Sequence, residues 1–223
     1  MNTFINLLFH RKKASTLLIT SVICCIALLT FRMKYTNSPY FLFLVWNLFL
    51  AGIPYLISTY LLSLKHNSIF KMLLYVPLWL LFLPNAPYIM TDLYHLRASH
   101  HQMVWLDAMV LFSFAISGLV LFYLSLTDMQ QLLASILKKN KATYLIYFSC
   151  FLSGFGIYLG RFLRYNSWEI ISNPSQLFND CFTMILLPKQ HSNVWLFTIC
   201  TGIFLSIGFY CFNHIKITKK ATL

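Results

Sequence analysis

The sequence is poor in charge, and poorest in acids. Of its 223 residues 10% are charged, and only five are acidic: Asp92, Asp107, Asp128, Glu169 and Asp180. A soluble domain carries about 25% charged residues, so this chain cannot cover a watery surface and a soluble globular protein is excluded. Disorder is excluded for the opposite reason: it needs low hydrophobicity and high charge, and here 59% of residues are hydrophobic. The six cysteines, Cys24, Cys25, Cys150, Cys181, Cys200 and Cys211, form no C-x-x-C pair. That removes the spacing of zinc and dithiol sites and leaves them as small apolar residues. No tandem or inverted repeat is visible. The length suits one integral membrane domain over residues 1–223.

What is present is a set of long apolar runs separated by basic gaps. A bilayer core needs about 20 apolar residues per helix. By that rule the spans are 14–31, 40–63, 70–90, 103–126, 143–164 and 193–212. The runs lack the alternation of a barrel, so an all-α polytopic membrane protein of six helices is predicted. The first run follows Arg11-Lys12-Lys13, as in a signal peptide, but it is too long and ends in no A-x-A site.

The chain carries 17 Lys and Arg and a net charge of +12. These cations sit in the gaps, as topology signals do, rather than on a solvated face with interleaved aromatics. No nucleic acid is therefore implied as a partner. With the N-terminus inside, the inner face carries eleven: Arg11, Lys12, Lys13, Lys65, Lys71, Lys138, Lys139, Lys141, Lys216, Lys219 and Lys220. The outer face carries six: Arg32, Lys34, Arg97, Arg161, Arg164 and Lys189. Both termini are predicted cytoplasmic. Four of the five acids, with His95, His100, His101 and His191, fall at the outer ends, which predicts a polar outer site.

Four motifs carry the polar residues. In Leu83-Pro84-Asn85-Ala86-Pro87-Tyr88 two prolines remove two backbone donors and force an extended residue before each, so the third helix must break at 84–87. Broken backbone at membrane depth is tolerated only inside protein or beside a wet cavity. Asn85 is placed to cap the next short helix, in which Asp92 and His95, i and i+3, share a face. In Gly160-Arg161-Phe162-Leu163-Arg164-Tyr165-Asn166-Ser167-Trp168-Glu169, Arg161 and Arg164 are also i, i+3. Gly156 and Gly160 below them allow close helix approach. Two guanidiniums suit a carboxylate or phosphate; headgroup anchoring is the bland alternative. Asp107 lies a turn inside the fourth helix and needs a partner, for which Arg161 at similar depth is the first candidate. Asn47, before Pro54, reads as an interhelical hydrogen-bonding residue.

The histidines near Asp92 fit no zinc spacing, and no metal or cofactor is implied. Ser172-Asn173-Pro174-Ser175 predicts a cap for a helix reaching Leu187, with Leu177, Phe178, Cys181, Phe182 and Ile185 apolar. It is too short to span and is expected to lie in the outer interface or to dip in as a lid over the site.

Together NLFLAGIPY (47–55), LPNAPYIMTDLYHL (83–96), WLDA (105–108) and GRFLRYNSWE (160–169) resemble a bacterial integral-membrane family catalogued as domain of unknown function 1361. The resemblance implies a multi-spanning protein of the bacterial plasma membrane and supplies no reaction. Three readings of the residues stand. In one, the outer site binds or processes an anionic lipid headgroup or lipid-linked phosphate. Asp92 and His95 would be its acid and base, Arg161, Arg164, Asn166 and Glu169 its anion contacts, and Asn85 and Asp107 its structural polar residues. In the others the chain is a non-catalytic scaffold, with protein partners unknown, or a small-solute transporter. The bilayer is the one partner common to all three.

Overall fold

A computed structural model describes residues 12–64, 69–98, 103–165 and 169–221. Arg11, Lys65, His100, His101 and Asn166-Ser167-Trp168 lie outside the described residues. The described chain is helical, and six of its helices are long and apolar enough to cross a membrane. It separates into two compact units, 1–132 and 133–223.

Unit 1 runs α1 (Lys12–Thr36), α2 (Phe43–Ser63), α3 (Ile69–Phe82), α4 (Asn85–Tyr88), a 3-10 helix (Ile89–Ala98) and α5 (Val104–Ala134). Its packing is inverted relative to a soluble protein. Leu17, Ile19, Ile23 and Ile26 of α1 are exposed, while Cys25, Leu29 and Arg32 form its buried stripe. Small polar side chains join α1 to α5: Ser21 Oγ and Cys25 Sγ lie 3.0 and 3.3 Å from Ser117 Oγ. That is how membrane helices associate where lipid is as apolar as leucine. α5 is the most buried of the spans.

α5 continues to Ala134, eight residues past the predicted end of its span. The predicted end lay just before Asp128, which stands inside the helix. Asp128 is fully buried and accepts a hydrogen bond from Thr59 Oγ1 at 3.0 Å. Charge limits the apolar run that was counted, not the helix, which continues through the buried, hydrogen-bonded Asp128. One turn earlier, Ser125 Oγ donates to the Pro54 carbonyl at 3.0 Å and receives Trp79 Nε1 at 2.8 Å.

The third span breaks where predicted, and the donor accounting explains its form. The carbonyl of Leu83 would pair with the amide of Pro87, which has none. The Ala86 amide takes its place at 3.3 Å. Ala86 is then lost to the Phe82 carbonyl, which receives Asn85 Nδ2 at 3.1 Å instead. Asn85 therefore does not cap the following helix as predicted; it closes the preceding one. Nor is Ala86 extended: it lies within α4, because the tighter winding absorbs the missing donor. The break is flanked by the fully buried Leu83, Ala86 and Ile89, with Pro84 and Asn85 half-buried between them. The span reaches Arg97 rather than residue 90; α3 alone, at 14 residues, covers only about 21 Å.

Unit 2 runs α6 (Lys139–Phe162), α7 (Glu169–Ser172), α8 (Pro174–Leu186) and α9 (Ser192–Ala221). α6 and α9 meet at a small-residue seam. A Cβ on Gly154 would lie 2.9 Å from the Thr198 carbonyl, and one on Gly202 would lie 2.4 Å from the Phe151 ring. The close approach thus falls at Gly154, whereas Gly156 and Gly160 are half-buried.

α8 is the short amphipathic helix that was expected. Phe178, Phe182 and Ile185 are exposed along one side, and Met184 is buried. Pro174 opens it, as suits a position whose amide has no partner. Asn173 precedes it without capping through its side chain, contrary to the predicted cap.

Candidate functional site

The polar residues of unit 1 gather at the end where α1 leads into α2 and the 3-10 helix finishes. The 3-10 geometry matters here, because residues i and i+3 eclipse on it. Asp92 and His95 are brought together, with His95 Nε2 at 3.9 Å from Asp92 Oδ1. The second carboxylate oxygen receives Asn47 Nδ2 at 2.8 Å. His95 Nδ1 faces the hydroxyl of Tyr40 at 3.1 Å. The rings of Tyr40 and Phe43 pack on the imidazole, with centroids 6.0 and 5.1 Å away.

Asp107, in the same unit, is linked to this group through Arg32, which lies over the Phe41 ring that packs on Tyr40. Its partner is Arg32, whose Nε donates to Oδ1 at 2.8 Å and whose Nη2 lies 3.5 Å from Oδ2. Nη1 of Arg32 donates to the Ser38 carbonyl at 3.0 Å, and the guanidinium lies 4.6 Å from the centroid of the Phe41 ring. Both charged side chains are buried. Arg32, counted from sequence only as a topology signal, is thus an ion-pair partner of Asp107.

In unit 2, Arg161 occupies the last turn of α6 and is half-buried. Arg164 does not share a helical face with it. The helix ends at Phe162, and Arg164 takes a left-handed conformation with φ 62°. The Tyr165 amide then reaches back to the Leu159 carbonyl at 3.1 Å, a helix stop that glycine usually provides. Arg164 is exposed, Glu169 opens α7, and Asn166 is outside the described residues. Tyr165 donates to Asp180 of α8 at 2.7 Å. That hydrogen bond pushes the phenol's pKa up to about 12, so Tyr165 stays a donor well above neutral pH. Trp195 Nε1 donates to the Met184 carbonyl at 3.2 Å and ties α9 to α8.

Of the predicted residues, then, unit 1 brings Asp92 and His95 together and pairs Asp107 with Arg32, while Asn85 works in the backbone break. Tyr40 and Arg32 were missed, and Asn47 was read as structural only. Tyr40 lies in the turn before α2, where an interfacial tyrosine looks like any belt residue. Among the described residues no three His, Cys, Asp or Glu side chains are grouped as a metal would require.

Six apolar spanning helices, a proline break flanked by buried residues and a buried Arg32–Asp107 ion pair define a multi-pass α-helical membrane protein. The chain belongs to the protein family of unknown function DUF1361, whose profile matches residues 46–207. No curated protein and no solved structure matches it.

Proposed function

We propose that this protein binds and acts on the headgroup of an anionic lipid or a lipid-linked phosphate at the non-cytoplasmic face of the membrane. The observation that carries this reading is the coupling of a buried carboxylate, Asp92, to a partly exposed imidazole, His95. An ionisable group within a spanning segment is costly and commonly marks a working site. Imidazole is the side chain that exchanges protons near neutral pH. In this reading Asp92 and His95 are the acid–base pair. Arg161 and Arg164 of unit 2, with Asn166 and Glu169 beside them in sequence, are a separate candidate for anion contact. Asn47 fixes the Asp92 carboxylate. The excess of Lys and Arg on the opposite side, eleven against six by the residues named above, supports cytoplasmic termini.

Native mass spectrometry of the gently solubilised protein tests the reading. Wild type is expected to keep an anionic phospholipid or phosphate adduct. Arg161→Ala/Arg164→Ala should keep about tenfold less, as loss of charge-assisted hydrogen bonds implies. Equal retention by both proteins, or a protein partner retained in place of lipid, overturns the reading and favours a scaffold.

A further inference from the structure

The three groups of the site become more exposed in order. The Asp92 side chain is 2% exposed and that of His95 is 31% exposed. Tyr40 is 45% exposed. The Tyr40 hydroxyl and His95 Nδ1 lie 3.1 Å apart, and which of them donates depends on the imidazole tautomer. Nε2 is the nitrogen turned toward the Asp92 carboxylate, at 3.9 Å; with the ring hydrogen placed there, Nδ1 is the acceptor and Tyr40 the donor. A phenol that donates its one hydrogen inward keeps its oxygen lone pairs for an incoming donor. Its ring is held edge-on against Phe41 and Phe43, with centroids 5.1 and 6.4 Å away. The nearby cation, Arg32, is already committed to Asp107 and the Ser38 carbonyl.

The geometry points to Tyr40 as the residue that meets the ligand: its oxygen accepts a hydrogen from a hydroxyl of the headgroup, so the site selects a hydroxyl-bearing phosphodiester lipid. This rests on the headgroup reading above and names the substrate class within it.

Phosphatidylglycerol and phosphatidylmethanol separate this inference from its premise. Both are singly charged phosphodiesters, and only the first carries free headgroup hydroxyls. Each is added to the purified full-length chain, and retention is read by native mass spectrometry. Wild type is expected to favour phosphatidylglycerol about tenfold, the worth of one well-placed hydrogen bond. Tyr40→Phe keeps the ring and its packing and should bind both lipids equally. His95→Phe removes the acceptor for the phenolic hydrogen and should also lose the preference. Equal binding of the two lipids by wild type, or a preference that survives in Tyr40→Phe, overturns the inference while leaving anion binding intact. Binding of neither lipid overturns the headgroup reading itself.

Discussion

Arg32→Ala is expected to destabilise the protein by about 3–5 kcal/mol, the cost of removing one partner from a buried ion pair. The change would leave the Asp107 carboxylate buried with its 2.8 Å partner gone and the Ser38 carbonyl without its donor. It would also remove the cation above Phe41. The cost of the charge decides the outcome, because an alanine in α1 is otherwise a good helix former. Thermal unfolding in detergent and the amount of protein in the membrane both read it. A companion variant shows that the loss comes from the stranded charge: Arg32→Met/Asp107→Leu should recover most of the stability, since replacing both partners of a buried pair by apolar groups is often neutral or favourable. An unchanged melting temperature in Arg32→Ala would contradict the pairing.

Gly118→Ala is the second large effect, and its sign runs against propensity. Exchanging glycine for alanine inside a helix ordinarily gains about 1 kcal/mol. Here the new Cβ would lie 2.5 Å from the Ala86 carbonyl oxygen and 3.1 Å from Ile89 Cδ1. The first of these is backbone, already held in the proline break by the Ala86 and Asn85 bonds, so it cannot swing aside. Overpacking of this kind costs about 1–3 kcal/mol, which outweighs the propensity gain. Gly52→Ala is the control, because nothing lies within 4 Å of its Cβ; it should be neutral or mildly stabilising. If Gly118→Ala unfolds at the wild-type temperature, the break does not press on α5.

Most of the fold was legible in the sequence because the bilayer imposes a coarse rule. About 20 apolar residues make a span, and six were found by that rule alone. Pro84 and Pro87 announced the break in the third, since a missing donor is a local fact. The amphipathic Pro174–Leu186 helix showed in the spacing of Phe178, Phe182 and Ile185. What failed were statements that needed neighbours in space. Asn85 was placed at the start of a helix, whereas its amide serves Phe82 because Ala86 is drawn off to Leu83. Arg32 was counted as a topology signal, whereas it pairs with Asp107. Arg161 and Arg164 were assumed to continue one helix, whereas a left-handed Arg164 turns the chain aside.

The candidate site shows the same division. Asp92 and His95 were legible as i and i+3, and a 3-10 helix sharpens that relation by eclipsing the two side chains. Tyr40 was not legible. It comes to His95 from 55 residues away in sequence, and no periodicity links a turn to a distant helix.

The central claim is that the Asp92 end of unit 1 faces the non-cytoplasmic side with Tyr40 at its exposed edge. Cysteine labelling with a membrane-impermeant maleimide in intact cells expressing the protein tests this directly, with the wild-type chain as background. Tyr40→Cys is expected to react without permeabilisation. Ser135→Cys, exposed just past the far end of α5, should react only after the cells are opened. Labelling of Ser135→Cys in intact cells, with Tyr40→Cys silent until the membrane is broken, would invert the protein and contradict the account.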